Sequence, residues 1–504
     1  METTEGFTKK IVANLIDPEE IRIAILDGHG KLYDIFVERM LEHQRTGEIY
    51  KARVDSVLPG MHSAFLNLGD GRNGFLYLDD VHGNIDVKPG MDMLVQVVKN
   101  ARKGKGARVS PRISLAGRYM VLIPGGHETG VSKRIENEEE RARMREIAKQ
   151  IRPQGYGIII RTVAEGCDME GLQQDVDELL SQWETIQHNA KQNTAPCLVH
   201  RDLGLLERVL RDELTGDVDE IVVDTEEDKD NIEAALKRFY EGRQVEVELY
   251  KGKLPIFDVY NVENQLAELQ DRKVWLNSGA YLVIDQTEAL TVIDVNTGKF
   301  VGSKNLSDTV LKTNEEAAVE IARQLRLRAL GGIVVIDFID MDTEEDKNHL
   351  VRLLQELFKT DRCKARVYGV TGLGLVEITR KRARTDIRAA LSRGCPFCGG
   401  LGWVTREESV AMQIKRFIRK IVSSSNSEAL LIEAYSTVAE YIADTFLAAW
   451  EEEFGRTLFI RGCPDFSWGK FRLDSQGGLS QIEHRISALQ KREGWAVVHR
   501  SPSA

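Results

Sequence analysis

A chain of 504 residues, 42% hydrophobic and 29% charged, can bury several cores, which excludes a disordered polypeptide and points to roughly three to five modules. Six cysteines are too few for a disulfide scaffold, and apolar runs such as Ile333 to Ile336 are far too short to cross a bilayer. The formal net charge of -11, taken whole, argues against a nucleic-acid partner, but the local distribution of cations reverses that reading.

In chain order, the N-terminus METTEGFTKK offers no apolar leader, so the chain reads as soluble and intracellular. Residues 49 to 78 alternate as short strands broken by turns: IYKARVDSV, the Pro59-Gly60 turn, HSAFLNLG, the turn from Asp70 to Asn73, then GFLYL. A further hairpin at MLVQVVKNARKGKGARVS is turned by Gly104 and Gly106. Five short strands predict a small closed barrel of the OB type, a shape that binds nucleic-acid strands on its outer face. Phe65, Phe75 and Tyr77 lie within it. Bases stack on such rings for about 1 to 3 kcal/mol each, whereas rings turned inward would be barrel core; both readings stand at this point. Arg102, Lys103, Lys105, Arg108 and Arg112 form one basic cluster, and Arg380, Lys381, Arg382, Arg384, Arg388 and Arg393 a denser one with Asp386 as its only acid. Each run alone reads as a solvated face. Their position beside the motifs below makes them candidate phosphate contacts.

Residues 136 to 152, with Met144, Ile147 and Ile151 at helical spacing, predict an exposed amphipathic helix. GYGIIIRT then reads as a buried strand ending in Arg161 and Thr162, a guanidinium and a hydroxyl that can grip a phosphate together; Arg161 can equally pair with a neighbouring acid. YLVID and LTVIDVN predict a hairpin ending in Asp294-Val295-Asn296. Thr313 to Glu316 reads as a capping box opening a helix with Ala318, Ile321, Ala322, Leu325 and Ala329 on one face, terminated by Gly331 and Gly332. The apolar strand IVVIDFID and a second helix with Leu350, Leu353, Leu354 and Leu357 inward complete an alternating α/β layer.

Asp337 follows four aliphatic residues and is expected on a largely buried strand, where an unpaired carboxylate is costly. Asp294, ending the neighbouring hairpin, is the companion, and two adjacent carboxylates need a divalent cation between them. All-oxygen ligation favours Mg²⁺ or Mn²⁺ over zinc, and Asn296, on the same strand face as Asp294, can hydrogen-bond a phosphate. The alternative is a pair of structural acids salt-bridged to Arg326 or Arg328. Cys395 and Cys398 offer half of a tetrahedral zinc site with no histidine within twenty residues on either side. Two subunits would complete it across a two-fold axis. The competing redox-pair reading needs a helix start, which Gly399, Gly400 and Gly402 disfavour.

IDVNTGKFVG (Ile293 to Gly302), EIARQLRLR (Glu320 to Arg328), GGIVVIDFIDM (Gly331 to Met341), LGLVEITRKR (Leu373 to Arg382) and CPFCGGLG (Cys395 to Gly402) resemble, in order and spacing, the catalytic region of the ribonuclease E/G family. The likeness extends upstream through SAFLNLG, ISLAGRYMVL and IIIRT, over roughly residues 20 to 405. NTGKFVG, TRKR and the lack of a long disordered tail are similar to the shorter members of that family. The resemblance implies a cytoplasmic endoribonuclease cutting single-stranded RNA by Mg²⁺-dependent phosphodiester hydrolysis, with Mn²⁺ able to substitute. It implies 5′-phosphate and 3′-hydroxyl ends, stimulation by a 5′-monophosphate, and service in rRNA maturation and mRNA turnover. By the same likeness Asp294 and Asp337 hold the metal and Asn296 orients the scissile phosphate; Asp340 is left as a candidate outer group. Arg161, Thr162, Gly117 and Val121 form the 5′-monophosphate pocket, while Phe65, Phe75 and Lys105 contact RNA. Cys395 and Cys398 share zinc in a homodimer, which can pair into a tetramer. The implied fold is multidomain α/β and β: an RNase H-like segment (1–45 and 215–272) interrupted by an S1-type OB barrel (46–118) and a 5′-sensor module (119–214). A DNase I-like nuclease domain (273–394), a zinc link (395–402) and a small C-terminal α/β domain (403–504) follow. Against the enzyme stand a non-catalytic RNA-binding scaffold and a redox-regulated protein acting through the cysteine pair.

Overall fold

The computed structural model describes residues 8–40, 45–81, 86–101, 106–214, 217–239, 245–298, 306–359, 361–382, 384, 386–492 and 497–500. They belong to two compact units, 1–390 and 391–504. In the first unit an antiparallel meander of Lys9–Asn14, Glu20–Leu26 and Leu32–Arg39 is extended by Val218–Val223 and Glu246–Leu249. Lys9–Asn14 pairs with Val218–Val223 in parallel, a pairing that requires a long crossover. The crossover here carries a barrel and a second small sheet, so one core is built from two distant stretches of chain.

The barrel runs Ile49–Leu58, Ser63–Asn67, Asn73–Tyr77, Arg108–Ser110, Asp92–Lys99 and back to Ile49–Leu58. Closure leaves none of these five strands as a free edge, and Ala52, Val54, Ala64, Leu66, Leu76, Val95, Val97 and Val109 fill the interior. Cys197–His200 lies against Ile49–Leu58 as a sixth strand. The expected hairpin joins Asp92–Lys99 to Arg108–Ser110; its turn, with Lys105, lies outside the described residues. The second sheet holds Thr129–Val131, Tyr156–Ile160, Met120–Pro124 and Leu115–Ala116, in that order. Helices Glu138–Ile151 and Met169–Gln192 pack their apolar faces against it.

The sheet that positions the acids has the order Lys273–Trp275, Tyr281–Gln286, Leu290–Asn296, Gly332–Asp337, Val376–Arg380, Ala365–Val370. Helices Leu306–Leu327 and Glu344–Lys359 cover one face, burying Leu282, Ile284, Ile293, Val295, Val334, Ile336 and Ile378 with Ala318, Ile321, Leu325, Leu350 and Leu354. The other face is open, and this corrects two expectations. IVVID is not buried on both sides: Val334 and Ile336 are fully buried, but Ile333 is 50% exposed and Asp337 is exposed. The carboxylate therefore keeps its water, and burial is not what demands a cation. Nor is Thr313 a helix cap. The helix already runs from Leu306, Thr313 Oγ1 donates back to the Thr309 carbonyl at 2.8 Å, and such a bond belongs to a helix interior. The same helix ends at Leu327, and just beyond it Ala329 takes φ 54° while Leu330 N–H reaches back to the Leu325 carbonyl; the glycines come after the stop.

The denser basic cluster is largely structural. Arg380 binds Asp361 through two nitrogens, at 2.6 and 3.1 Å, and the Leu330 carbonyl at 2.6 Å, with side chains only 3% and 5% exposed. Arg382 holds the Gly331 carbonyl, and Arg384 binds Asp34 together with the carbonyls of Ile35 and Arg326. Lys381 and Arg388 remain exposed. These bonds tie the acid-bearing sheet to the N-terminal meander.

The second unit is a sheet of Phe471–Gly477, Ala429–Ala434, Thr457–Gly462 and Val498–Arg500, packed on helices that include Glu407–Ser424 and Ser436–Thr445. Among the described residues, no helix is long and apolar enough to cross a membrane.

Breaking the buried Arg380–Asp361 pair from one side strands a desolvated charge, at about 3 to 5 kcal/mol. Arg380→Ala should lower the unfolding free energy by that order in a urea titration, whereas Arg388→Ala, at an exposed position, should change it little.

Candidate functional site

Two parallel strands place the acids. Leu290–Asn296 pairs with Gly332–Asp337 so that Asp294 lies directly opposite Asp337, both at the carboxyl ends of their strands, where open α/β sheets bind ligands. In a sheet, paired residues share a face about 4.8 Å apart. One rung of the open face therefore reads Lys273, Val283, Asp294, Asp337. The next rung reads Trp275, Tyr281, Asn296. Asn296 Nδ2 donates to Asp294 Oδ2 at 2.7 Å. Among the described residues neither carboxylate has an ion-pair partner. Arg326 turns to the Tyr33 carbonyl and Arg328 to Gln324, so the salt-bridged alternative is removed.

Sequence reasoning missed Asn314, which is fully buried. Its amide clamps the strand end beyond Asp337, donating to the Ile339 carbonyl at 2.8 Å and accepting from Ile339 N–H at 3.1 Å. The signal was available: a polar residue falls among the apolar positions Ala317, Ala318 and Ile321 of one helix face. Asp340 follows on the exposed side of this clamp.

On the barrel, Phe65 and Phe75 are cross-strand partners, and the rings of Phe65, Phe75 and Tyr77 form an edge-to-face row, 5.7 and 4.8 Å apart. They lie outside the barrel core; Tyr77 is 41% exposed and Arg108 sits 4.7 Å over its ring. The row and its guanidinium form one outer patch.

Arg161 and Gly117 come together. Arg161 donates from Nη1 to the Gly117 carbonyl at 2.6 Å and from Nη2 to Asp212 at 2.6 Å. Thr162 Oγ1 lies 2.8 Å from Ser132 Oγ, and Val121 pairs with Ile159 on the adjoining strand. The turn after Gly117 is shaped by Asp175, whose carboxylate accepts the backbone N–H groups of Arg118, Tyr119 and Met120. A Cβ at position 117 would stand 2.5 Å from that carboxylate, which is why the position takes glycine. Burial nonetheless pushes the Asp175 carboxyl above its usual range. Asp175 and Asp212 were both missed; Asp175 falls among Leu172, Val176 and Leu179 on a core-facing stripe, the one signal a sequence could carry.

Cys395 is exposed and Cys398 half-buried. The segment turns through Gly399, Gly400 and Gly402, all at positive φ, so no helix starts at the pair. Gly402 N–H donates to Cys398 Sγ at 3.3 Å, and with the Gly400 amide this lowers the thiol's pKa. Among the described residues, no three His, Cys, Asp or Glu side chains gather to hold a metal.

The profile described as "Ribonuclease E/G family" matches residues 114–383, and "RNase E/G, Thioredoxin-like domain" matches 394–476. The chain belongs to the ribonuclease E/G family. It is 39% identical over 451 residues to Ribonuclease G of Salmonella typhimurium (strain SL1344) and of Escherichia coli (strain K12), covering 86% of this chain and 92% of each relative. It is 41% identical over 373 residues to Ribonuclease E of Synechocystis, covering 71% of this chain and 55% of that protein. The match to the thioredoxin-like profile carries the likeness past residue 405, where the motifs had left it, into the C-terminal unit.

Helix Leu205–Glu213 ends by giving Asp212 to Arg161 and Glu213 to Arg362. Burial, with Asp34 nearby, pushes the Glu213 carboxyl from 4.5 up to about 7, against the pull of Arg362. The folded protein thus keeps a proton that the unfolded chain has lost between pH 4.5 and 7, so this group's contribution falls as pH rises through that window. Glu213→Gln should flatten the slope of melting temperature against pH between about 5 and 7; an unaltered slope would refute the assignment.

Proposed function

We propose that this protein is an endoribonuclease that cuts single-stranded RNA by Mg²⁺-dependent hydrolysis, in cytoplasmic RNA processing and decay such as rRNA maturation and mRNA turnover. The observation that carries the reading is the in-register pair Asp294 and Asp337 on an open sheet face, with Asn296 bonded to the first. Two carboxylates one strand apart repel. A donor set of carboxylate and amide oxygens suits a hard cation that takes one or two protein carboxylates and keeps its remaining waters, with Mn²⁺ as a substitute. When bound there, Mg²⁺ supplies an acidified water and charge stabilisation for in-line attack at phosphorus, leaving 5′-phosphate and 3′-hydroxyl ends. The chain's own residues do the rest. Asn296 fixes the rotamer of Asp294 and lies beside the scissile phosphate, and Asn314 holds the strand end that carries Asp337.

Around this centre, Phe65 and Phe75 stack bases on the outer barrel face, with Lys105 of the adjoining hairpin on the RNA backbone. Arg161, Thr162, Gly117 and Val121 receive a 5′-monophosphate, for which Arg161 would exchange its present carboxylate partner, Asp212. We divide the chain into an RNase H-like segment (1–45 and 215–272), an S1-type barrel (46–118), a 5′-sensor region (119–214), a DNase I-like nuclease domain (273–394), a zinc link (395–402) and a C-terminal domain (403–504). Cys395 and Cys398 supply half of a zinc site that a second subunit completes, since a tetrahedral zinc takes four ligands. The homodimer so formed can pair into a tetramer.

Cleavage of a 5′-monophosphorylated RNA should require Mg²⁺ and should vanish in Asp294→Asn and in Asp337→Asn, with melting temperature and RNA affinity nearly unchanged. Binding without any cleavage by the unaltered protein would favour an RNA-binding scaffold instead. Arg161→Ala, in the same assay, should slow cutting of this RNA far more than of its 5′-hydroxyl counterpart.

Cys395→Ser with Cys398→Ser should lose zinc, present at about one half per chain in the parent protein, and sedimentation should change from dimer to monomer. One zinc per chain in a stable monomer would refute the shared site.

A further inference from the structure

The open face of the nuclease sheet carries more than its acids. At its edge, on Lys273–Trp275, the Trp275 ring is 62% exposed, and it meets Tyr281 of the next strand at 5.2 Å between centroids with the planes inclined by 60°. Lys273 places its ammonium 3.9 Å from the first ring centroid and 3.5 Å from the second. We propose that Trp275 and Tyr281 form a stacking site for one base of the single-stranded RNA, next to the bond that is cut, with Lys273 serving that nucleotide's phosphate.

Register is the first argument. Tyr281 is the direct partner of Asn296, and Trp275 the direct partner of Tyr281, so the rings stand one and two strands from Asn296, at about 4.8 Å per strand. Lys273 and Asp294 share the adjacent rung, separated by Val283. An aromatic pair, a cation and two carboxylates therefore lie on one face within the width of four strands.

Chemistry is the second. A pair serving only packing would turn its rings into the core, but the core of this sheet lies on the other face. Trp275 leaves a large flat surface in water beside a positive charge, an arrangement suited to a ligand with a π face and an anion, as an unpaired nucleotide has. A paired base in a duplex keeps its faces stacked in the helix and has none to give. Lys273 rests over both rings in the free protein; an entering base takes the ring face and leaves the ammonium to the phosphate.

The inference rests on the nuclease reading of Asp294 and Asp337, and binding tests it separately. A 5′-monophosphorylated single-stranded RNA, without divalent metal so that it stays intact, would be titrated into wild type, Trp275→Ala, Trp275→Phe and Tyr281→Ala. The same RNA would then be used with one abasic residue moved along its length. Trp275→Ala should weaken binding roughly 5- to 150-fold, the range for losing one stacked base, and Trp275→Phe should retain most of the affinity. One abasic position near the cut should reproduce the loss in wild type and cost Trp275→Ala nothing further, as expected when both changes remove one contact. Equal affinity of wild type and Trp275→Ala, or an abasic scan of wild type with no sensitive position near the cut, would overturn the stacking site. The scan needs no variant to fold, and cleavage by Asp294→Asn would count against the nuclease reading while leaving the binding result to stand.

Discussion

The parallel pairing of Leu290–Asn296 with Gly332–Asp337 is the constraint on which the rest depends. Side chains alternate across a strand, so slipping this register by one residue would send Asp337 to the face that helices Leu306–Leu327 and Glu344–Lys359 cover. The register is secured by the buried set on that face, Ile293 and Val295 against Val334 and Ile336, because a slip would expose all four together. The apolar core therefore fixes the position of the acids without touching them. A parallel pair also needs a crossover, and here the crossover is the helix whose Asn314 returns to hold the end of the second strand. One helix closes the connection, seals the core and positions the site.

Charge in this molecule is sorted by partner rather than by sign. Most of the arginines that make residues 380 to 393 look like a nucleic-acid surface are used up in bonds to carbonyls and acids, at the opposite end of the sheet from Asp337: Arg380 with Asp361, Arg384 with Asp34, Arg382 with Gly331. On the site face Asp294, Asp337 and Lys273 are left to solvent, with Glu377 and Arg366 exposed farther along the same face. This separation reconciles a net charge of -11 with membership of a ribonuclease family, since local exposed charge, not the sum, meets a phosphate. The same sorting shapes the turn after Gly117, where the Asp175 carboxylate gathers three backbone amides.

Much of this was legible in the residues. The barrel strands follow from alternation and from Pro59-Gly60 and the Asp70 to Asn73 turn, which are local signals. The two helices of the nuclease sheet follow from leucine and alanine spacing, and the acids Asp294 and Asp337 from their motifs. The misread capping box at Thr313 shows where local pattern fails, because the same residues serve a helix interior when the preceding residues are already helical. IVVID misleads for a related reason: β-branched residues suit a pleated surface whether or not its second face is covered.

By itself, then, the sequence carried the barrel strands, most of the strands and helices of the nuclease sheet, the family, and the two acids proposed as the site, since those depend on residue type and on spacing within a short stretch of chain. Tertiary structure alone decided that Asp294 and Asp337 share a rung, that Asp337 faces water, that Arg161 is held by Asp212, and that Trp275 and Tyr281 stand beside Asn296. Each of these is a relation between segments, set by which strands lie side by side and in what register. Pairing between distant strands is chosen by the burial of a whole face at once, so no local pattern contains it.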